Sequence, residues 1–366
     1  MTGSFEVAYG AGRIASIKPV DAAPPPSDGT LWLTPGLFDI QVNGMLGYDF
    51  SGRELSVEMV QKIHSELEKR GILRWCPTIC TQSPEIVERN LVTIRHAIDD
   101  GLTPNVHCIH LEGHYISSEE GYRGVHAAKF IRDPDPGEFD KWQQAAGGHI
   151  GLFSLSPERK GALSFIQKLR ADGVRVGLVH HHCDYETIRA AAAAGADLSS
   201  HLLNGCAPLI HRQHNVIWAQ LSLRELWASF IADGFHIPPY TLRALINSKG
   251  LDRSILTSDL GYLAGKPDGE YSTTDGNVVV LKDGGLWVKG KGTDLLSGAA
   301  KTLNQNVEYL SAHAGFSIEQ SLLLASRNPA QYFGISRELD IYPGRGGPAA
   351  LFRWQHEGLS VEAILK

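Results

Sequence analysis

The sequence predicts a (β/α)8 TIM-type barrel with a small β-domain formed by the N- and C-terminal segments. Eight short apolar runs recur along the chain, helical patterns fall between most of them, and brief β-like runs are confined to the two ends. At 366 residues the chain has room for one large core and a small appendage. A content of 43% hydrophobic and 20% charged residues excludes a disordered chain.

At the N-terminus, FEVAY and RIASI read as two short strands, and the Pro-rich stretch AAPPPSD then breaks the chain. The eight runs follow: LFDIQVN, LRWCPTI, VHCIHLE, HIGLFSL, VRVGLVH, DLSSHLL, WASFIAD and RSILTSD. Their length, β-branched content and lack of strict alternation suit strands buried on both faces. Between them, VEMVQKIHSELEKRG has helical spacing and a closing Gly71, and DYETIRAAAAAG runs from an Asp184 N-cap to a Gly195 C-cap. An open doubly wound sheet is the competing architecture, but no GxGxxG follows the first strand. The eighth unit is less regular, and VVVLKDGGLWV within it predicts an inserted hairpin. AALFRW is a last strand near the C-terminus. Residues 1–34 and 335–366 are therefore expected to form the small β-domain, and 35–334 the barrel.

Lys plus Arg number 34 against 40 Asp plus Glu, a net charge of −6 with no basic block, so no nucleic-acid partner is expected. No run of apolar residues is long enough to span a bilayer, and the N-terminus lacks a signal pattern. A cytoplasmic, membrane-free protein is expected. Its five cysteines (76, 80, 108, 183 and 206) contain no CxxC pair and read as reduced thiols, with Cys76 and Cys80 as small core residues.

Of 16 histidines, 12 fall between His107 and His236, and histidine serves as ligand, acid and base near neutral pH. Barrel enzymes place their chemistry where strands end. There the sequence offers Gln41 and Asn43 on the first strand, Glu112 on the third, His180 on the fifth and His201 on the sixth. His236 follows the seventh, and Asp259 ends the eighth. Glu112, His180 and His201 make a carboxylate-plus-two-imidazole set suited to a catalytic divalent metal, which lowers the pKa of its water to roughly 7. Asp259 is then the candidate general base. On its own the strand alternation leaves His182, which shares a face with His180, as a rival ligand. His107, His149, His313 and His356 read as structural.

PGLFDIQVNG, HLEG, GVHAAKF, SHLLNG, HR at 211–212, IADGFH, TSD at 257–259 and LLSGAAKTL occur in this order. The series resembles the N-acetylglucosamine-6-phosphate deacetylase family of the amidohydrolase superfamily, over roughly residues 35–334. The resemblance implies hydrolysis of the acetamide of an amino-sugar 6-phosphate, releasing acetate and the free amine. It implies Glu112, His180 and His201 as ligands of one divalent ion per subunit (Zn2+, with Fe2+, Co2+ and Mn2+ as alternatives), His180 being selected by its spacing to Tyr185. Gln41 and Asn43 replace the HxH of two-metal relatives and are expected behind the ligands. Asp259 matches the catalytic aspartate, and His126 the histidine beside the substrate carbonyl. Asn204, Gly205, Arg212 and His236 match the sugar-phosphate site, with Arg212 reaching across a homodimer interface.

The chain departs from the family pattern at His114, where HLEGP is usual, at Gly205 in the Asn-Ala pair, at 213–215 and at Leu260. These departures border the substrate pocket. They leave open a different N-acyl amino sugar or N-acyl amino acid, and a catalytically silent sugar-phosphate-binding barrel as a third reading.

Overall fold

The computed structural model describes residues 5–20, 29–273, 277–291 and 295–366; the Pro-rich break lies outside them. Eight parallel strands, β1 (Leu37–Val42), β2 (Ile72–Ile79), β3 (Ile109–Glu112), β4 (Ile150–Leu155), β5 (Arg175–Leu178), β6 (Leu198–Ser199), β7 (Trp227–Phe230) and β8 (Ser254–Leu256), pair in sequence order. Seven lie inside one of the eight apolar runs, and β2 begins one residue before its run, at Ile72. Helices follow most strands and form the outer ring, as expected for a (β/α)8 barrel.

The helices begin and end where local chemistry dictates. Ser56 caps the helix Val57–Lys69 by accepting from the Met59 amide, and that helix buries Val60, Ile63, His64 and Leu67 on one face. Asp184 accepts from the Thr187 amide to start Tyr185–Ala194, which Gly195 ends. No helix among the described residues is long and apolar enough to cross a membrane.

Alternation along the strands gives the barrel interior three layers. At the lower end Phe38, Ile40, Cys76, Cys108, Leu152, Leu198, Trp227 and Ile255 pack into one apolar cluster. Two residues further up, neutral polar groups bond across strands: His110 Nε2 lies 2.8 Å from Ser154 Oγ, and Ser154 Oγ lies 2.9 Å from Ser200 Oγ. Gly177 leaves room for that layer, since a Cβ there would come within 2.5 Å of both serine oxygens. The third step up reaches Cys80, Glu112 and Asp259.

The seam between β1 and β8 closes differently from the other seven pairings. Beyond the strand ends, Val42 bridges Leu260, and the Asn43 amide donates to the Leu260 carbonyl at 2.8 Å. Below that point the wholly buried Asp39 carboxylate accepts from Thr257 Oγ1 at 2.9 Å, from the Ser258 amide at 3.1 Å and from the Ser258 hydroxyl. A side chain thus does what main-chain pairing does elsewhere in the barrel.

Both termini join one antiparallel sheet of Leu31–Thr34, Ala349–Gln355 and Gly358–Leu365. The hairpin of Phe5–Gly10 and Arg13–Pro19 adjoins it through the Arg13–Gly346 bridge. The predicted insertion is a three-stranded sheet, Gly269–Ser272, Val278–Lys282 and Gly285–Val288. Its hairpin turns at Asp283 and Gly284, both with positive φ, as a two-residue turn requires.

Candidate active site

The strand ends and the loops after them converge on Glu112, which terminates β3 and is buried. Its Oε1 faces imidazoles: His201 Nε2 lies 2.7 Å away and His180 Nε2 3.6 Å away. His126 joins them. Glu112, His126 and His180 each bring a ligating atom within 4.8 Å of one another. The structure therefore assembles the expected Glu112, His180 and His201 around one carboxylate oxygen and adds His126 to the cluster.

The loops that deliver these groups are strained at the residues that matter. His180, His201 and Asp259 have φ of 49°, 29° and 50°, in the left-handed region that side chains with a Cβ disfavour. Gly113 of HLEG has φ 97°, and a Cβ there would fall 2.3 Å from Thr81 Oγ1. That hydroxyl holds the His114 amide at 2.9 Å and His126 Nδ1 at 2.7 Å, so the glycine lets the loop close over its own anchor.

Electrostatics separate the imidazoles. Burial works against the Glu112 carboxylate, but the adjacent imidazoles of His180 and His201 override it and hold its carboxyl well below the usual range. Burial also opposes a charge on His201, yet the Glu112 hydrogen bond and charge raise its pKa to about 9. His126 receives no such help. Burial, with His180 beside it, pushes its pKa down to about 3, so it is a neutral hydrogen-bonding group at pH 7. Burial also lowers His110 to about 4, which makes it part of the neutral middle layer.

The donor set fits a divalent transition ion. Glu112 is a buried carboxylate whose partners among the described residues are imidazoles, an amide and a thiol, so its charge calls for a proton or a metal. His180 Nδ1 lies 2.7 Å from the Tyr122 carbonyl, which fixes its N–H there and leaves Nε2 as the lone-pair nitrogen facing Glu112. His182 is excluded as a rival: its Nδ1 pairs with Glu158 at 2.9 Å, in an outer cleft of about 320 Å³ lined also by Ser117, Glu119 and Lys160.

Asp259 lies beside Glu112. Gln41 Nε2 donates to Glu112 Oε2 at 2.6 Å and to Asp259 Oδ1 at 2.8 Å, and Asn43 Nδ2 donates to the same Oδ1 at 2.7 Å. Burial raises the Asp259 carboxyl, while the nearby His201 charge and the Asn43 bond pull it back. The two amides therefore stand behind the carboxylates.

Of the remaining predicted residues, His236 Nδ1 bonds Asp233 Oδ2 at 2.7 Å, and Asp233 Oδ1 accepts the Phe235 and His236 amides. Asn204 buries an Nδ2 that has no partner among the described residues, and Gly205 packs so closely that a Cβ would lie 3.0 Å from the His180 main-chain nitrogen. Arg212 is exposed on the loop after β6, and its carbonyl accepts from Trp218 Nε1 at 3.1 Å.

Sequence reading missed Asp233, Thr81 and the placement of Cys80. Cys76 is a core thiol as expected. Cys80 instead reaches the site, with Sγ 3.3 Å from Asn43 Oδ1 and 3.7 Å from Glu112 Oε2. The alternation Cys76–Thr78–Cys80 along one strand face was the available signal.

A (β/α)8 barrel that gathers a carboxylate and imidazoles at its strand ends defines a metal-dependent hydrolase of the amidohydrolase superfamily. The comparisons agree. No family model matches the chain. It is 30% identical over 313 residues to an N-acetylglucosamine-6-phosphate deacetylase of Vibrio furnissii, spanning 85% of this chain and 76% of that one. It is 28% identical over 337 residues to an N-acetylgalactosamine-6-phosphate deacetylase of Escherichia coli O157:H7, spanning 91% and 86%. A solved complex of a Mycobacterium smegmatis deacetylase with N-acetyl-D-glucosamine-6-phosphate superposes with a TM-score of 0.84 at 25% identity, covering 98% of this chain and 92% of that one. The chain belongs to the N-acetylglucosamine-6-phosphate deacetylase family.

Proposed function

We propose that the protein hydrolyses the acetamide of N-acetylglucosamine-6-phosphate to glucosamine-6-phosphate and acetate. The observation that carries this reading is the convergence of Glu112, His126, His180 and His201 at the barrel mouth with Asp259 beside them. Glu112, His180 and His201 would hold one divalent ion per subunit, Zn2+ by donor type with Fe2+, Co2+ or Mn2+ as alternatives. When bound, such an ion polarises a carbonyl and acidifies water.

The chain's own residues do the rest. Asp259 takes the proton of the attacking water and returns it to the departing amine, which is why it stands in the barrel mouth and not in a helix cap. His126, neutral and anchored at Nδ1 by Thr81, offers its other nitrogen to the carbonyl oxygen as negative charge develops there. Asp233 locks the His236 ring so that Nε2 faces away from it, toward the sugar phosphate in this reading. Asn204 and Gly205 contact the same ligand, and Arg212 belongs to the phosphate site of a neighbouring subunit in a cytoplasmic homodimer. The same reading takes residues 1–34 and 335–366 as a small β-domain and 35–334 as the catalytic barrel.

A second substrate has a specific claim. Similarity to the N-acetylgalactosamine-6-phosphate deacetylase is nearly as high and covers more of the chain. Acetate release from the two 6-phosphates and from unphosphorylated N-acetylglucosamine tests all three. The proposal expects the glucosamine derivative to be fastest, and Arg212→Ala to erase the preference for phosphate. Equal rates with and without phosphate would overturn it.

A further inference from the structure

Two carboxylates this close, Glu112 buried and Asp259 half-buried, ordinarily need a cation or a shared proton between them. Here a neutral carboxamide stands between them. Gln41 is buried, and its Nε2 donates to Glu112 Oε2 at 2.6 Å and to Asp259 Oδ1 at 2.8 Å, so both amide protons are spent on the two groups. The orientation of the amide is fixed by its partners, because carboxylate oxygens accept and only the nitrogen side can donate to both.

Each carboxylate is thereby turned. Glu112 gives Oε2 to Gln41, which leaves Oε1 to the imidazoles of His201 and His180. Asp259 gives Oδ1 to both Gln41 and Asn43, which leaves Oδ2 without a hydrogen-bond partner among the described residues. The Cys80 thiol donates to Asn43 Oδ1 at 3.3 Å, and this holds the second amide with its nitrogen toward Asp259.

We propose that Gln41 is a positioning residue that sets the metal-ligand oxygen of Glu112 and the proton-accepting oxygen of Asp259 at once, its carboxamide taking the place of a bridging cation. Oδ2 of Asp259 is then the basic atom, and Oε1 of Glu112 the ligating one. This rests on the reading of Glu112 as ligand and Asp259 as base given above.

The test uses the full-length enzyme with Gln41→Met, which keeps length but removes both donors, and Gln41→Glu, which keeps shape but replaces the donor with an acceptor. Zn2+ affinity is measured by competition with a chromophoric chelator, and kcat and KM by acetate release. Both variants are expected to lose roughly 10- to 100-fold in Zn2+ affinity, the range seen when a group supporting a ligand is removed. The kcat falls by a similar factor while KM stays within about threefold, as expected for a group that acts on the reacting centre through others. In an Asp259→Asn background, Gln41→Met still weakens Zn2+ binding through Glu112 but lowers kcat by less than about threefold more. A purely structural role would lower kcat by the same factor in both backgrounds, and that result overturns the proposal. So does a folded Gln41 variant whose kcat and Zn2+ affinity both stay within about twofold of the parent. If the parent itself releases no acetate, the functional reading fails, and the Zn2+ affinities alone decide the role of Gln41.

Discussion

At the lower end of the barrel, Phe38, Trp227 and Ile255 pack against Cys108 and Leu152 in an apolar cluster. Four residues further along two of the same strands, Cys108 gives way to Glu112 and Ile255 to Asp259. The lower layer stabilises through burial of apolar area. The upper one holds buried or half-buried carboxylates, histidines with positive φ and polar atoms that have no partner among the described residues. One set of strands thus carries a region selected for stability and a region that tolerates strain, separated by a neutral polar layer through His110, Ser154 and Ser200. Substitutions at the two ends should have separable consequences.

The largest effect belongs to the upper end. Asp259→Asn should lower kcat by about three orders of magnitude, within the range for loss of a general base, while the unfolding midpoint stays close to the parent's. Steady-state rates and a thermal melt read both, and a thousandfold loss accompanied by gross destabilisation would merge the two regions. The converse substitution is Phe38→Ala, in a wholly buried ring that stacks on Phe333 at 5.4 Å. It should cost about 3–5 kcal/mol in denaturant unfolding and leave the kcat of folded molecules near the parent's.

The seam between the ends gives a pH signature. Burial raises Asp39 to about 6, partly offset by the bonds from Ser258 and Thr257. Its folded pKa thus exceeds the unfolded value, so the folded state holds the extra proton between about pH 4 and 6. The associated stability is full below that window and is lost as pH rises through 6. Asp39→Asn cannot ionise. The parent should therefore lose about 3 kcal/mol relative to this variant between pH 4 and 7, from about 1.4 kcal/mol per pKa unit. Parallel stability curves for the two proteins would contradict the assignment.

The smallest effect is at His114, fully buried against Trp142 with neither ring nitrogen hydrogen-bonded among the described residues. Replacing such a ring with an apolar one removes an unmet desolvation cost, so His114→Phe should stabilise by about 1 kcal/mol. A loss of stability would mean that His114 has a partner in solution.

Much of this organisation was legible in the sequence because its signals are local. All eight strands match their apolar runs to within one residue at the start, and the Asp184 and Gly195 caps stand where predicted. Glu112, His180 and His201 stood out as candidates because each puts an unusual residue type at a strand end, while only the family resemblance separated His180 from His182. What escaped was non-local or disguised. Asp39 acts on residues 218 and 219 positions away, and nothing near it in sequence signals that partnership. Cys80 was disguised by the tendency of thiols to behave as small apolar groups. Asp233 was hidden in plain view, three residues before the histidine that it orients.

The most direct measurement is acetate release from N-acetylglucosamine-6-phosphate by the protein as purified, after chelation, and after one equivalent of divalent ion is restored, with a melt on each sample. The account predicts that chelation abolishes turnover but leaves a cooperative unfolding transition, because the lower layer does not depend on the metal. One ion per chain then restores the rate. Undiminished turnover in the metal-free protein, or no acetate released in any state, would contradict it.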